Sequence, residues 1–479
     1  MNIVYFFIGL IYLFSVIIIL NLIFKEKRSI QSTIIWIITL IFVPGIGLLF
    51  YVFIGRTLKN KNMFYLTEKE KLKFEGTINS SEKVCEIDEE EILYKNKDII
   101  NTFLNLHSSV LTGKNKVDIY SKPEEMFNSM LDELKKAKKF INMQYYILRN
   151  DDIGKKVIDI LSEKAKEGIE VRLLYDGIGS KKFKKKYLKQ FKENGGKAAI
   201  FFPSLVKFIN LNINYRNHRK VVIIDGKIAF LGGSNVGDEY LGKNKKLGNW
   251  RDTDIRIKGQ SVNTLNLRFL MDWRYASKER VDLSKYLIDK KFAGNGNVYT
   301  QIVSSGPNLK TEDIKYGYIK MIQSAHEYVY IQSPYFILDE GVLDIVKIAC
   351  LSGVDVRIMI PSKPDHLFVY WATYSCIGEL LKYGARVYLY DKNSFMHSKV
   401  IIVDDNVSTV GTANMDLRSF KLNFEVSAFM YSYDIAKKQK QIFKEDMKNS
   451  SELTLRMYKD RGIFIKFKES ISRLLAPIL

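Results

Sequence analysis

Two sets of polar residues, far apart in the chain, repeat the same residue types at the same spacing. Each set has a histidine, a lysine two residues later, an aspartate at seven residues, a glycine at fourteen and an asparagine at seventeen. The sets are His218, Lys220, Asp225, Gly232 and Asn235, and His397, Lys399, Asp404, Gly411 and Asn414. A single His-x-Lys pair means little in a lysine-rich chain, but the full pattern found twice is a specific signal.

Two such sets facing each other would form a site for a phosphodiester. Lysine ammonium and asparagine amide groups can bind the non-bridging phosphate oxygens and stabilise the charge that develops on them. One imidazole can attack phosphorus while the other, protonated, donates to the leaving alkoxide, because imidazole titrates near ~6.5. A covalent phospho-histidine would divide one difficult displacement into two easier ones.

Carboxylates should complete such a site by orienting the imidazoles. Glu425 is the candidate for His397, and Asp252 is the candidate for His218. The sequence shows no cluster of residues with metal-ligand spacing, so neither a metal nor another cofactor is expected. The other histidines lack comparable surroundings and are expected to be ordinary polar residues, although a loop position near the mouth of the site stays open for one of them. They are His107, His326 and His366, of which His366 is the one in that loop.

Short β-branched runs follow each histidine–lysine pair and predict the strands that position the site. The expected strands are Val221–Ile224 with a return at 228–231, and Val400–Val403 with a return at 407–410. Residues i and i+2 face one side of a strand, so each histidine should project with its lysine, and the return strands should bring Asn235 and Asn414 back beside them. Asp225 and Asp404 fall at the far turns, so we expect a supporting role for them rather than proton transfer.

These motifs lie inside a longer internal duplication. Two pairs of segments match at a period of about 180 residues: 137–144 with 325–332, and 168–174 with 353–359. Strand-like and helix-like pieces alternate in each half, which favours an α/β fold. We therefore expect two similar α/β domains, at residues 116–290 and 296–450, with a joint near Gly294.

Composition and charge narrow the class of protein. The chain has 479 residues, of which 47% are hydrophobic and 27% charged, and this balance excludes a disordered or fibrous chain. The net charge of +21 predicts an anionic partner, such as nucleic acid, acidic lipid or a phosphorylated substrate. The three cysteines form no Cys-x-x-Cys pair, which excludes a disulfide scaffold and a cysteine-based zinc site and fits a reducing compartment.

Residues 1–55 are expected to lie in the cell membrane. Residues 1–24 and 29–54 contain no charged side chain, and each stretch exceeds the ~20 residues that cross a bilayer as a helix. They predict a two-helix hairpin, hence a multi-pass protein; the alternative is one span plus a buried core helix. Pro44 should kink the second helix, which could then be partly re-entrant. The more basic flank after residue 55 favours both ends, and the catalytic domains, on the cytoplasmic face.

Three further segments are interpreted from their composition. Residues 56–115 are polar and irregular and predict a solvated linker with some helix. Residues 203–211 are both apolar and basic, and fit either an interfacial element or an ordinary core element. The C-terminal tail, residues 451–479, ends in a segment that fits either an interfacial amphipathic helix or a core-packing helix.

The pattern HxKxxxxD followed by GxxN, present twice, resembles that of the phospholipase D superfamily. Nearly the whole chain resembles the bacterial cardiolipin synthases of that superfamily, least well at residues 56–115. Three further stretches carry the likeness: residues 44–47 with Tyr51 and Gly55-Arg56, residues 214–220, and residues 418–425. One departure is Asp254, where this family would have a histidine, and it leaves open which carboxylate supports His218.

The resemblance implies two phospholipase D-like α/β domains packed as a pseudo-dimer around one site. One phosphatidylglycerol would give its phosphatidyl group to a histidine and release glycerol, and a second would attack that intermediate to form cardiolipin. His218 would be the nucleophile and His397 the acid and later the base. No metal or nucleotide would be needed, since one phosphodiester is exchanged for another. The expected partners are phosphatidylglycerol and the bilayer, not nucleic acid.

Three other functions use the same residues. A phospholipase D-type hydrolase differs only in using water as the acceptor. A phosphodiesterase acting on nucleic acid fits the positive charge but not the two apolar N-terminal segments. A membrane-tethered binding protein with a decayed site is disfavoured because both motifs are intact.

Overall fold

The computed structural model describes residues 2–26, 30–56, 58, 63–64, 66–67, 70, 90–106, 109–203, 213–244, 247–287 and 294–475. Residues 204–211, considered above as an interfacial element, and His107 lie outside this part of the chain.

The N-terminal region contains one long helix and two short ones. They are α1 (Asn2–Phe24), α2 (Ile30–Phe42) and α3 (Pro44–Phe50), followed by a π-helical turn at Tyr51–Gly55. Within the described residues, α1 is the one helix that is long and apolar enough to cross a membrane, over Ile3–Phe24. Pro44 stands at the start of α3, where its missing N–H costs nothing, and α2 ends at Phe42. The kink predicted at Pro44 is confirmed, and the second apolar stretch is two short helices rather than one continuous span.

Residues 90–106, part of the expected linker, are packed rather than solvated. They form α4 (Glu91–Lys95) and α5 (Lys97–Asn105). Ile99, Ile100 and Phe103 are fully buried in the core of the second domain.

The first catalytic domain contains β1 to β9 and α6 to α9. Its strands are Leu111–Tyr120 (β1), Phe140–Tyr145 (β2), Glu170–Asp176 (β3), Lys197–Phe201 (β4), Arg216–Asn217 (β5), Val221–Ile224 (β6), Ile228–Gly232 (β7), Asn249–Arg251 (β8) and Asp254–Lys258 (β9). Its helices are Pro123–Lys135 (α6), Asp152–Lys166 (α7), Lys189–Glu193 (α8) and Ser261–Ser277 (α9), with 3-10 turns at Lys185–Leu188, Asp238–Leu241 and Leu283–Tyr286.

The second catalytic domain contains β10 to β20 and α10 to α16. Its strands are Val298–Ser305 (β10), Tyr328–Gln332 (β11), Phe336–Ile337 (β12), Asp355–Pro361 (β13), Arg386–Tyr390 (β14), Ser394–Met396 (β15), Val400–Val403 (β16), Val407–Gly411 (β17), Met415–Asp416 (β18), Asn423–Tyr431 (β19) and Ser451–Leu453 (β20). Its helices are Asp313–Gln323 (α10), Glu340–Leu351 (α11), Leu367–Leu381 (α12), Leu417–Lys421 (α13), Tyr433–Lys448 (α14), Leu455–Lys459 (α15) and Ile463–Leu475 (α16).

One sheet runs through both domains. The strand order is β4-β3-β2-β6-β7-β9-β1 in the first domain and β14-β13-β11-β16-β17-β19-β10 in the second, so the two orders correspond strand by strand. β1 and β10 pair antiparallel at the centre, with Leu111 opposite Gln301 and Thr112 opposite Thr300. The duplication and the α/β class predicted from sequence are confirmed.

Packing on both faces of the sheet explains the β-branched strands. Along β6, Val221 and Ile223 belong to one buried cluster, whereas Val222 and Ile224 belong to another. Because successive side chains point to opposite faces and both faces are covered, every residue of such a strand is apolar.

Helix α16, in the C-terminal tail, leaves its apolar side chains exposed. Ile463 is 77% exposed, Phe464 79% and Leu474 72%. This exposure favours the interfacial interpretation of the tail over the core-packing one.

Candidate active site

A cavity of about 550 Å³ lies where the two domains meet. The motif residues that line it are His218 and Asn235 from the first domain and His397 and Asn414 from the second. Two histidines far apart in the sequence therefore face one space.

Each histidine is held by backbone pairing with the opposite domain. β5 pairs parallel with β19, and the N–H of His218 extends that ladder by donating to the carbonyl of Phe424 at 2.9 Å. β15 pairs parallel with β8, and the N–H of His397 donates to the carbonyl of Arg251 at 2.7 Å. The exchanged short strands fix the positions of the two imidazole rings relative to each other.

The carboxylates that hold the imidazoles are exchanged between domains in the same way. Glu425 Oε2 lies 3.0 Å from Nδ1 of His218, and Asp252 Oδ2 lies 2.7 Å from Nδ1 of His397. The sequence-based pairing of Glu425 with His397 and of Asp252 with His218 is therefore wrong. Its physical reason is the strand exchange: Glu425 lies on β19, which pairs with β5 beside His218, and Asp252 follows β8, which pairs with β15 beside His397.

These contacts fix the tautomer of both imidazoles. Burial raises the pKa of Glu425 and of Asp252, but the neighbouring histidine and lysine groups outweigh it and hold both pKa values below the ordinary range. An ionised carboxylate only accepts hydrogen bonds, so Nδ1 of each ring carries the proton. Nε2 of each ring is left with its lone pair.

Burial sets the charge state of the two rings. It lowers the pKa of His218 below its usual value and that of His397 to about 4, and the carboxylates only partly offset this effect. Both imidazoles are therefore neutral at pH 7 in this structure. A neutral ring can act as a nucleophile or as a base through Nε2.

The two motif lysines are buried beside the histidines. Lys220 Nζ donates to the carbonyl of His218 at 2.7 Å, and Lys399 Nζ donates to the carbonyl of His397 and lies 2.9 Å from Nδ1 of that ring. Burial lowers the pKa of Lys220 to about 7 and that of Lys399 to about 8, and in Lys220 the charge of Lys399 contributes further. A phosphate beside these lysines would favour their charged ammonium forms.

The two motif asparagines have different partners. Asn235 accepts from the N–H of Ile147 at 3.1 Å and donates to the hydroxyl of Tyr240 at 3.0 Å. Asn414 donates to Asp416 Oδ2 at 3.3 Å. Both side chains are buried at the cavity wall, as the return strands predicted.

The two motif aspartates lie at the far turns and do not line the cavity. Asp225 accepts from the backbone N–H groups of residues 138, 139 and 140, and Asp404 accepts from those of residues 326, 327 and 328. Both have positive φ, at 53° and 46°. Each aspartate ties the turn of its hairpin to the start of the neighbouring strand, which agrees with a supporting role.

Asp254, at the position where the family resemblance leads one to expect histidine, supports the first asparagine loop. It accepts from the backbone N–H and the hydroxyl of Ser234, at 3.2 and 2.6 Å. Burial, together with the charge of Asp252, raises its pKa to about 7. Asp254 thus contacts the residue next to Asn235 rather than an imidazole.

Several residues of the site carry no recognisable spacing and were found only in the structure. The ring of Tyr146 lies 4.8 Å from that of His218, and the ring of Trp250 lies 5.0 Å from that of His397. His366, for which the sequence left open a loop position near the mouth of the site, lines the cavity as well. Tyr146 follows one of the duplicated segments by two residues, which is the one signal that could have identified it.

Two buried arginine–aspartate pairs lie directly behind the site. Arg219 donates to Asp272 and also to the carbonyl of Glu425, at 3.0 Å. Arg251 donates to Asp446 at 2.8 Å and to the carbonyl of Asp252. Each guanidinium therefore holds the backbone of a carboxylate that holds a histidine. In the described part of the chain, no group of three or more histidine, cysteine or acidic residues could bind a metal.

Comparisons with known proteins identify the family. The model described as "Cardiolipin synthase, PLD-like domain" matches residues 130–266 and 318–447, and "Phospholipase_D-nuclease N-terminal" matches residues 10–56. The chain is 46% identical to the major cardiolipin synthase ClsA of Bacillus subtilis over 478 residues, covering 98% of both chains. It belongs to the cardiolipin synthase family of the phospholipase D superfamily. The match to the cardiolipin synthase of Staphylococcus aureus strain N315 is also 46%, covering 96% of this chain and 94% of that one.

A solved structure supports the fold of this cardiolipin synthase family member. Phosphatidylserine synthase of Haemophilus influenzae superposes with a TM-score of 0.59 at 14% identity, covering 81% of this chain and 96% of that one. At this identity the match shows the fold alone. The family and the fold thus agree with the resemblance found in the motifs.

Proposed function

We propose that the protein is a membrane-bound phosphatidyltransferase that joins two phosphatidylglycerol molecules into cardiolipin and glycerol. The observation that carries this proposal is a single cavity faced by two histidines, each with Nδ1 on a buried carboxylate from the opposite domain. Family membership and near full-length identity to cardiolipin synthases support it.

In the first half of the reaction His218 attacks and His397 donates a proton. Nε2 of His218 forms a bond to the phosphorus of the donor lipid as the bond to the glycerol oxygen breaks. His397, protonated on Nε2, gives its proton to that oxygen, and glycerol leaves. Asp252 stabilises the imidazolium before the transfer, and Glu425 stabilises the positive charge that develops on His218.

In the second half the roles of acid and base reverse. Neutral His397 takes the proton from the terminal glycerol hydroxyl of the acceptor lipid, whose oxygen then bonds to phosphorus. The bond to Nε2 of His218 breaks, and cardiolipin leaves. One phosphodiester has replaced another, so the energy of the bond is retained and no nucleotide is consumed.

The lysines and asparagines would hold the phosphate throughout. Lys220 and Lys399 neutralise the non-bridging oxygens, and Asn235 and Asn414 donate from the cavity wall. The pKa of His397, about 4 in this structure, rises when an anion screens it from these lysines. A bound phosphate would therefore favour the protonated form of His397 that the first step needs.

The membrane region supports a lipid substrate over nucleic acid. Helix α1 is long and apolar enough to cross a bilayer, and a tethered site meets lipids in the plane of the membrane. We propose that the catalytic domains face the cytoplasm of the cell membrane, because the flank after residue 55 is the more basic one.

One assay separates the proposed transferase from a hydrolase. Purified full-length protein is incubated with phosphatidylglycerol vesicles, and the lipid products and free glycerol are measured. Cardiolipin with an equimolar amount of glycerol supports the transferase. Phosphatidic acid without cardiolipin would identify a hydrolase, and the absence of turnover would contradict both lipid functions.

A further inference from the structure

Two arginines line the cavity, whereas the two motif lysines are buried behind the histidines. Arg216 and Arg418 both contribute to its wall. Arg216 precedes His218 by two residues in an extended segment, so their side chains project to the same side from Cα atoms about 6.6 Å apart. Arg418 comes from the second domain, in α13.

The surroundings of these arginines suit an anion. Arg418 donates to the backbone carbonyl and to the side-chain oxygen of Asn214, at 2.9 and 3.3 Å, and both are neutral acceptors. Burial lowers the pKa of Arg216, and the positive charge of Arg418 lowers it further. Asp416 lines the same wall, but burial raises its pKa and its carboxylate accepts from the N–H of Ser419 at 2.7 Å. The buried carboxylate of Asp176 partly offsets the charge of Arg216. The two guanidinium groups nevertheless line one wall of the cavity, where the charge of Arg418 acts on Arg216.

The arginine pair also lies where the membrane region joins the catalytic domain. Asn214, the partner of Arg418, donates to the carbonyl of Ile54 at 3.3 Å. Tyr215 donates through its hydroxyl to the carbonyl of Arg56 at 2.7 Å. Ile54 and Arg56 are at the end of the apolar N-terminal region, so this wall of the cavity faces the level of lipid headgroups.

We propose that Arg216 and Arg418 bind the phosphodiester of the acceptor lipid while the lysines hold that of the donor. This inference rests on the proposed function and extends it. The acceptor must bring its terminal glycerol hydroxyl to the phosphorus on His218 while its own phosphate stays intact and anionic. A cationic pair in the wall of the same cavity as His218 can recognise that phosphate. Water carries no phosphate, so this recognition favours transfer over hydrolysis.

The test compares two acceptors that share one intermediate. Full-length protein with Arg418→Gln is placed in phosphatidylglycerol vesicles, and both cardiolipin formation and exchange of radiolabelled glycerol into phosphatidylglycerol are measured. Glycerol attacks the same phosphatidyl-histidine but has no phosphate. We expect cardiolipin formation to fall roughly 10- to 100-fold, the usual effect of losing charged hydrogen bonds, while exchange stays within about threefold of wild type.

Controls separate a specific effect from a general one. Arg386→Gln removes an exposed arginine from β14, which lies next to the edge strand β20 and where Arg386 pairs with Glu452 at 2.9 Å, and it should leave both activities unchanged. Arg418→Lys, which keeps the charge, should restore part of the cardiolipin formation. An equal loss of both activities in Arg418→Gln, or no loss of either, would overturn the acceptor site. Failure of the proposed function would instead be seen in the wild-type protein, as exchange or phosphatidic acid without cardiolipin.

A separate observation concerns the path of the chain through the membrane. Helix α2 has 13 residues and is therefore ~20 Å long, shorter than the ~30 Å hydrocarbon core. The ring of Tyr51 lies 5.3 Å from that of Trp36, although a straight helix would separate these residues by ~22 Å. The Tyr51 hydroxyl donates to Glu26 Oε1 at 3.1 Å, just after the end of α1. Helix α3 therefore folds back along α2.

Close packing of α2 and α3 depends on a glycine. A Cβ atom on Gly47 would lie 2.8 Å from the backbone oxygen of Thr39, which is closer than real Cβ atoms approach. The glycine at position 47 therefore permits α3 to pack closely along α2.

We infer that residues 30–55 enter the membrane and leave it on the face where they entered, so that α1 alone spans. The catalytic domains and Asn2 then lie on opposite faces, in contrast to the two-span hairpin, which places both ends in the cytoplasm. Lys25 then shares one face with Arg56, as the positive-inside rule requires of a cytoplasmic face.

Cysteine labelling in intact cells tests this path. The three native cysteines are replaced by serine, and Asn2→Cys or Lys437→Cys is introduced, Lys437 being an exposed residue of α14. A membrane-impermeant maleimide should label Asn2→Cys in intact cells and Lys437→Cys only after permeabilisation. Labelling of both on the same side would overturn the re-entrant path.

Discussion

In the first half of the molecule, Arg219 stands between the motif histidine and lysine and donates to the buried Asp272 at 2.7 and 2.9 Å. In the second half Ser398 occupies that place in the motif. There Arg251 crosses from the first domain and donates to Asp446 at 2.8 and 3.0 Å. The two aspartates are equivalent, but the arginines that neutralise them are not.

The duplicated glutamines establish which residues correspond. Gln144 donates to Asp272 at 2.9 Å, and Gln332 donates to Asp446 at 2.7 Å. Arg251 also donates to the hydroxyl of Ser398 at 3.0 Å. The second half therefore depends on the first for both a guanidinium and a carboxylate, whereas the first takes from the second the carboxylate of Glu425. The two halves therefore share one fold but differ in the number of supporting side chains that each supplies to the other.

Removal of either histidine should give the largest loss of activity, and a substrate that needs no acid should distinguish the two histidines. His218→Ala and His397→Ala should each reduce cardiolipin formation by ~10⁴-fold or more, because nucleophile and acid act as one unit. A phosphatidyl ester of 4-nitrophenol, whose leaving group needs no proton, should then release nitrophenol with His397→Ala in one burst but not with His218→Ala. The burst is measured by absorbance.

The opposite pattern would reverse the assignment of nucleophile and acid. A burst with His218→Ala alone would make His397 the nucleophile. Near-normal cardiolipin formation in either variant would contradict the two-histidine mechanism.

The exchanged carboxylates should give the next largest effect. Glu425→Gln and Asp252→Asn keep the shape of each side chain but lose the charge that fixes the Nδ1–H tautomer and stabilises the imidazolium. We expect kcat to fall roughly 10²- to 10⁴-fold in each, as for a similar change behind a catalytic histidine. With the nitrophenyl ester, Asp252→Asn should recover the burst and Glu425→Gln should not. If Glu425→Gln recovered the burst and Asp252→Asn did not, the result would instead support the pairing of Glu425 with His397 that the sequence predicted.

The arginine pairs predict a difference in stability. Arg251→Gln leaves Asp446 buried without its guanidinium, which costs about 3–5 kcal/mol when one partner of a buried pair is removed. Arg219→Gln should cost less, because Arg268 also donates to Asp272, at 2.7 Å. Thermal unfolding of the detergent-solubilised protein measures both. The double variant Arg251→Gln/Asp446→Asn should be more stable than Arg251→Gln alone, and equal melting temperatures for all variants would contradict this account.

The smallest expected effect concerns the pH profile. The pKa of Lys220 is lowered to about 7 and that of Lys399 to about 8, so both cations are lost as the pH rises through these values. Phosphate binding, and with it kcat/KM, should therefore decline as the pH rises from about 7, where Lys220 loses its charge, through about 8, where Lys399 loses its own. Lys399→Arg, which stays charged, should move this limb to higher pH, whereas Lys437→Arg on the surface should not. If kcat/KM declined over the same pH range in Lys399→Arg as in the wild-type protein, deprotonation of Lys399 would not be the cause of the decline.

Local sequence patterns predicted much of the site. The β-branched runs, the returning strands, the far-turn positions of Asp225 and Asp404 and the break at Pro44 all depend on neighbours in the chain, and the structure has each of them. The pairing of carboxylates with histidines depends on β5 and β8 crossing to the other domain. The spacing of the motif residues in the sequence does not reveal such an exchange of strands. Arg251 was missed for the same reason, since its partner Asp446 lies 195 residues away.

The antiparallel pairing of β1 with β10 has a mechanical consequence for turnover. Because β1 of the first domain pairs antiparallel with β10 of the second, separating the two domains to open the cavity would break backbone hydrogen bonds. We therefore expect lipids to enter and leave through the existing mouth of the cavity, so that the four-tailed product leaves by the route that its two-tailed precursors took.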